Sequence, residues 1–144
     1  MNAIDDAVKK LLVECQLLDV VVRRFSAGLR GQDGEPPQEL TDGEASFDLG
    51  MGYDVGESHV DYSFTVKIES KTVEAAAEVV ARYQFDVTEL SEDVAVGFAN
   101  RVAFFAAYPY LREVIQTSTG RLPGTQSFVL PIVQDAPGFV RSEE

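Results

Sequence analysis

Cysteine, histidine and positive charge are all scarce in this chain of 144 residues. The single cysteine, Cys15, excludes an internal disulfide and agrees with a reducing compartment. Near the end of an amphipathic segment, it reads as a small buried hydrophobe. The single histidine, His59, stands among Glu57, Ser58 and Asp61 with no second histidine and no cysteine nearby. It reads as a surface residue, not as a metal ligand or general base. Only 12 basic side chains oppose 24 acidic ones, a formal charge of -12. Nucleic acid is thereby disfavoured as the main partner, since affinity for phosphate needs a basic face, and an anionic membrane surface is disfavoured equally.

Long apolar runs are absent too. The longest, around Val102 to Tyr108, falls far short of the roughly 20 residues of a bilayer span. The N-terminus MNAIDDAVKK carries acids where a signal peptide needs positive charge, so a cytoplasmic protein is expected. There is no Gly-rich phosphate loop, no metal-ligand spacing and no Ser/Cys-His pair in a recognisable motif. An enzyme would have to rest on paired carboxylates that nothing orients, so a non-enzyme without cofactor or metal is expected.

Hydrophobic residues are plentiful at 45% of the chain, enough for one domain of this size to build a core without staples. The negative charge is concentrated. Residues 31 to 63 hold nine acids and no lysine or arginine, whereas the flanks are near balance with 15 acids and 12 bases. Glycines and Pro36-Pro37 gather in the same stretch, so 31 to 43 reads as an exposed loop. A basic-free stretch is usually a solvated face, but Asp42, Glu44, Asp48 and Asp54 are candidates for docking a basic partner.

Three segments alternate with a period of two, as strands do. Apolar Phe47, Leu49, Met51, Tyr53 and Val55 form the first set. Val60, Tyr62, Phe64, Val66 and Ile68 form the second, and Val73 through Val87 the third. The second set is even-numbered and the third odd-numbered, so a hairpin with one apolar face pairs residues whose numbers sum to an odd value. A sum of 141 would set Ile68 opposite Val73. Ser70-Lys71 lacks the glycine or asparagine of a two-residue primed turn, which predicts a four-residue loop. Leu17 to Ala27 is a fourth, less regular strand, preceded by a short amphipathic helix around Ala3 to Glu14.

Ser91 offers an N-cap with Glu92 and Asp93 behind it, and Gly120, Arg121 and Pro123 supply a stop. The helix between them carries two stripes, Val94, Phe98, Val102 and Phe105 on one side and Phe104, Tyr108, Leu111 and Ile115 on another. A helix apolar nearly all round needs cover on more than one face, and a single sheet covers one, so a second subunit is expected. Pro109 should kink the helix near Ala106.

The run Tyr108-Pro109-Tyr110-Leu111-Arg112-Glu113, then Ile115, Thr119-Gly120-Arg121-Leu122-Pro123 and the extended FVLPI, resembles the SecB export-chaperone family. The family's signature there is a helical F/Y-P-Y-x-R-E followed by a glycine and a proline. The match is good over residues 108 to 123 and, by strand order and helix position, extends to about residues 17 to 131. The resemblance implies an α+β fold: a four-stranded antiparallel sheet (17–88), a long helix (91–120), and a connector and tail (121–144) after an N-terminal helix (1–16). It further implies a dimer of dimers with helices sandwiched between sheets. The lid helix of export members is expected to be missing, because only Gln134 to Glu144 follow FVLPIV. The short spacing from Pro109 to Gly120 looks more like the SecB-like chaperones that accompany toxin-antitoxin pairs.

The function implied is an ATP-independent holdase for unfolded polypeptide, serving export with SecA or a specific client such as an antitoxin. The alternative is a non-catalytic scaffold on the same fold that recognises one partner. Candidate client-binding residues are Leu40, Phe47, Leu49, Leu122, Phe128, Leu130 and Ile132; ordinary core packing is the competing reading, above all for Phe47 and Leu49. Phe98, Val102, Phe104, Phe105, Tyr108, Leu111, Arg112 and Ile115 are candidates for the oligomer interface, with Arg112 and Glu113 in an intersubunit or local ion pair.

Overall fold

The computed structural model describes residues 3–29, 45–85, 90–122, 128–131 and 138–139. In chain order these form helix α1 (Ala3–Glu14), strands β1 (Gln16–Leu29), β2 (Ala45–Val55), β3 (His59–Ser70) and β4 (Val73–Gln84), and helix α2 (Glu92–Phe98). A π-helical turn (Ala99–Ala103) and helix α3 (Phe104–Gly120) complete the order. The strands make one antiparallel sheet in the order β1-β4-β3-β2, so β1 and β2, consecutive in sequence, are its two edges. This is the α+β arrangement expected. Among the described residues no helix is long and apolar enough to cross a membrane.

The β3/β4 hairpin puts its apolar sets on one face, as an odd sum requires, but the sum is 143: Ile68 faces Ala75 and Phe64 faces Val79. The predicted register was therefore off by two, and only Lys71 and Thr72 lie between Ser70 and Val73. Ser70 is the reason. Its hydroxyl accepts the Val73 N–H at 3.0 Å and the Thr72 N–H at 3.3 Å, closing the tight turn with a side chain where the sequence has no glycine.

Strand β1 reads as irregular because it contains two bulges, between Leu17 and Asp19 and between Val22 and Arg24. Each extra residue reverses the parity, which keeps Leu17, then Val20 and Val22, then Phe25, Ala27 and Leu29 on the face shared with the odd residues of β4. The opposite face of the sheet is polar. Arg82 grips Asp61 through two hydrogen bonds of 2.6 and 2.9 Å, and Arg24 and Arg23 converge on Glu78 at 3.2 and 3.7 Å.

The helix begins as predicted. Ser91 is extended and its hydroxyl accepts the Val94 N–H at 3.2 Å, with Glu92 and Asp93 in the first turn. The helix continues through Pro109 to Gly120, and upstream of it lies the π turn, where the Phe104 N–H reaches back to the Ala99 carbonyl. That turn inserts one residue and rotates the downstream part of the helix by about 100°. On an uninterrupted helix Ala95 and Leu111 would stand about 160° apart; the insertion brings them to about 60°.

One sheet therefore covers both halves. Ala95, Phe98, Ala99, Ala103, Phe104, Ala107, Tyr108, Leu111 and Ile115 are all buried within the protomer. Val94, Val102 and Phe105, the rest of the first stripe, stay half-buried, so that flank of the helix is only partly covered within the protomer.

Aromatic contacts bind helix to sheet. Phe98 stacks on Tyr62 at 5.7 Å and meets Tyr83 edge-on at 5.0 Å, while Phe104 meets Phe64 edge-on at 5.7 Å. Buried Tyr62 donates its hydroxyl to the Ala95 carbonyl at 2.9 Å. Helix α1 packs closely on α2 at Gly97, where a Cβ would come within 3.1 Å of Val8 and 3.2 Å of Ile4, so a side chain there would require those two residues to shift by a few tenths of an ångström. An ion pair between Arg101 and Asp5 ties α1 to the π turn.

Candidate functional site

Beside its buried face the long helix presents a row of polar side chains that grip the chain following it. The Phe128 N–H donates to the Thr119 hydroxyl at 2.8 Å. The Arg112 Nε donates to the Leu130 carbonyl at 2.9 Å, and the Tyr108 hydroxyl to the Pro131 carbonyl at 2.7 Å. Further along, the Asn100 amide makes a two-way pair with Phe139, Nδ2 donating to its carbonyl at 2.8 Å and Oδ1 accepting its N–H at 2.7 Å. As helix numbers fall from 119 to 100, partner numbers rise from 128 to 139, so the described residues 128–131 and Phe139 meet the helix in antiparallel order.

Every one of these bonds is to main chain. A donor or acceptor aimed at a peptide group holds any extended sequence, because the peptide group is common to all residues. The geometry depends on Tyr108 staying protonated, and burial pushes its hydroxyl pKa up while the Arg112 guanidinium pulls the other way. Thr119 is fully buried and its hydroxyl also donates to the Ile115 carbonyl at 2.6 Å, so its lone pairs are aimed at the Phe128 amide by the helix itself.

Side chains of the held segment alternate. Leu130 is buried in the core at 4% exposure, Phe128 is half-buried against it, and Val129 between them is exposed. The Phe139 ring lies 5.8 Å from both Phe64 on β3 and Phe104 on α3, in an aromatic pocket between sheet and helix. Gly138 before it has φ +80°, a conformation that glycine adopts without strain. One strand away, β2 carries an incompletely covered apolar row: Phe47 at 49% exposure, half-buried Leu49, Met51 and Tyr53, and exposed Val55.

Of the residues proposed from sequence for client binding, Phe47 is exposed, while Leu49, Leu122 and Phe128 are half-buried. Leu130 is core, which leaves it little surface to offer. Leu40 and Ile132 lie outside the described residues. Of the residues proposed for an oligomer interface, Phe98, Phe104, Tyr108, Leu111 and Ile115 are closed off by the protomer's own sheet, whereas Val102 and Phe105 stay half-buried. Arg112 spends its Nε on the Leu130 carbonyl within the chain, a different use from the ion pair expected of it. For docking, Asp48 and Asp54 are exposed on β2, and Asp42 and Glu44 are outside the described residues. His59 and Cys15 are half-buried, and no group of three or more metal-ligating side chains occurs among the described residues.

Asn100, Thr119 and Phe139 were not singled out from sequence. A usable signal exists for Phe139: it is the only aromatic after Phe128 and follows the turn dipeptide Pro137-Gly138. For Asn100 and Thr119 the signal is weaker, polar side chains bordering an apolar stripe.

No protein-family model matches the chain, and no curated protein matches it. Among solved structures it is similar to a SecB-like chaperone of Mycobacterium tuberculosis in complex with a ChAD peptide from the HigA1 antitoxin. The TM-score is 0.71 at 20% identity, over 91% of this chain and 96% of that one. A protein of unknown function from Streptococcus agalactiae matches with a TM-score of 0.47 at 10% identity, over 83% of this chain and 98% of that one. A four-stranded antiparallel sheet in the order β1-β4-β3-β2, backed by one long helix over nearly the whole length of the mycobacterial chaperone, means that this chain has the SecB-like fold.

Proposed function

We propose that this chain is a SecB-like chaperone: an ATP-independent holdase that binds unfolded or non-native polypeptide and delivers it onward, with an antitoxin as the favoured kind of client. The observation that carries this reading is the main-chain grip of Thr119, Arg112 and Tyr108 on residues 128–131, together with the incompletely covered apolar row on β2. Peptide-group bonding with apolar contact on one side is what capture of many sequences requires. The antitoxin peptide in the mycobacterial complex supports the choice of client. Export with SecA as partner is the other branch, and exposed Asp48 and Asp54 would serve a basic docking partner in either.

The chain acts as a homo-oligomer, a dimer of dimers in the cytoplasm. Support comes from edge strand β1, where Leu17, Leu18, Val21 and Phe25 are exposed, Phe25 at 59%. An apolar strand edge in water is a pairing surface. Light scattering at micromolar concentration should find a multimer; a monomer refutes the assembly.

The activity is tested by suppression of aggregation of an unrelated denatured protein at stoichiometric ratio without nucleotide. Leu122→Ser with Phe128→Ser should weaken capture. No suppression with any unfolded client would leave the scaffold reading, in which a single folded partner is recognised. Burial of Leu130 favours that second reading, since it shows part of the connector already closed.

A further inference from the structure

The contacts of Phe139 differ in kind from those of the connector before it. Residues 128 to 131 come soon after the end of the helix and carry Leu130 into the core. Phe139 comes later, with the left-handed Gly138 before it, and packs one ring against the Phe64–Phe104 pair while both of its main-chain hydrogen-bonding groups are taken by a single side chain, Asn100. An amide that accepts an N–H and donates to the carbonyl of the same residue reproduces what a neighbouring strand offers. Nothing in that pairing reads the residue's identity; the aromatic pocket does.

We infer that the Asn100–Phe64–Phe104 pocket is a receptor for one aromatic residue of an extended peptide, and that Phe139 occupies it as an internal stand-in which a client aromatic must displace. This rests on the polypeptide-binding function proposed above and adds the anchor chemistry and its regulation. Asn100 selects extended backbone, and the two phenylalanines select a flat apolar ring in edge-on or tilted contact. A resident occupant lowers affinity in proportion to the time the pocket is filled. If it is free in one molecule in ten, clients bind about tenfold more weakly than to the emptied pocket. The Phe139 strap thereby sets a threshold that favours clients carrying an aromatic in an extended stretch.

Two probes test this on the full chain. A labelled peptide of residues 134–144, QDAPGFVRSEE, should bind the Phe139→Ala variant at least about tenfold more tightly than the wild type, because the variant keeps the receptor while its resident competitor loses the ring and holds only the two main-chain bonds to Asn100. The same peptide with its phenylalanine replaced by alanine should not bind, and adding Asn100→Ala should abolish binding. Equal binding by wild type and Phe139→Ala, or none by either, overturns the inference. The second probe is reduced, carboxymethylated ribonuclease A, an unfolded chain without tryptophan, which Phe139→Ala should also hold about tenfold more tightly. Equal affinity overturns the competition, whereas failure of both proteins to bind it sinks the holdase function and leaves the peptide to judge the pocket. Because the chain has no tryptophan, Phe139→Trp supplies a single fluorophore in a near-native plug. Its emission should be that of a buried indole and should shift to the red when the unfolded chain is added; an unchanged spectrum under saturating client counts against displacement.

Discussion

The long helix is held on one side by the sheet and itself holds, on an adjacent flank, the segment C-terminal to it, and the two contacts use different physics. Toward the sheet Phe98, Phe104, Leu111 and Ile115 lose all exposure and interlock with Tyr62, Phe64 and Tyr83. That contact depends on the shape of every participant. On the other flank Thr119, Arg112, Tyr108 and Asn100 reach peptide groups, and these bonds do not depend on the side chains of the residues they hold. The first makes a unique core and the second adds main-chain bonds, so a packed contact and a hydrogen-bonded one sit on a single element.

Breaking the packed side should have the largest effect. Leu111→Ala removes a fully buried side chain and should cost about 3 to 5 kcal/mol, read as a cooperative loss of Tm. A cost below about 1 kcal/mol would mean that the helix is loosely seated. Next comes Tyr62→Phe, which deletes the bond to the Ala95 carbonyl and should cost about 1 kcal/mol at neutral pH. Burial raises the Tyr62 pKa above its ordinary value, with Tyr53 and Tyr83 adding to the shift. Its native-state stability is thus complete below the unfolded value of about 10 and declines as pH rises through the folded value. The variant lacks that decline, so the gap between the two proteins should narrow above about pH 10 in alkaline titrations.

Breaking the exchangeable flank should act locally. Thr119→Val removes the acceptor of the Phe128 amide, and hydrogen exchange there should quicken about fivefold or more while amides of β4 are unchanged. Equal acceleration in β4 would show that the two contacts form one unit after all. The smallest effect belongs to the outer sheet face. The Arg82 guanidinium holds the Asp61 carboxyl below its usual range, so the stability it contributes is present above the unfolded value of about 3.9 and is lost as pH falls through the folded value. Asp61→Asn should therefore differ from wild type at neutral pH by less than about 1 kcal/mol, a difference that fades below about pH 4 in acid unfolding curves. A gap that persists at pH 2 would point to packing as its source.

Much of the frame was readable because it repeats. Alternation in β2, β3 and β4 shows in any window, and Ser91 with its two acids marks a helix start wherever it occurs. What was misread depends on single residues acting at a distance or off-period. The Ser70 hydroxyl substitutes for a turn glycine and moves the hairpin register by two. Two extra residues disguise β1, and one in the π turn brings Ala95 and Leu111 toward the same face. In the candidate site, Leu122 and Phe128 were legible as apolar residues after a helix. The use of Arg112, Asn100 and Thr119 was not, because their partners are peptide groups, which every residue has and no sequence pattern marks.

The amino-acid sequence alone determined that the chain builds an α+β frame of four strands and one long helix, since side-chain periodicity is a local property that backbone geometry converts directly into faces. Its excess of acids over bases is likewise a matter of composition. Only the tertiary structure decided which apolar residues are spent on the core and which keep exposed surface. Leu130 and Phe128, two positions apart in the same run, differ because one meets the sheet and helix together and the other only partly. It also decided that Phe139, close to the end of the sequence, fills a pocket made by residues 35 and more positions earlier, a contact fixed by packing and main-chain bonding over a separation that no local pattern spans.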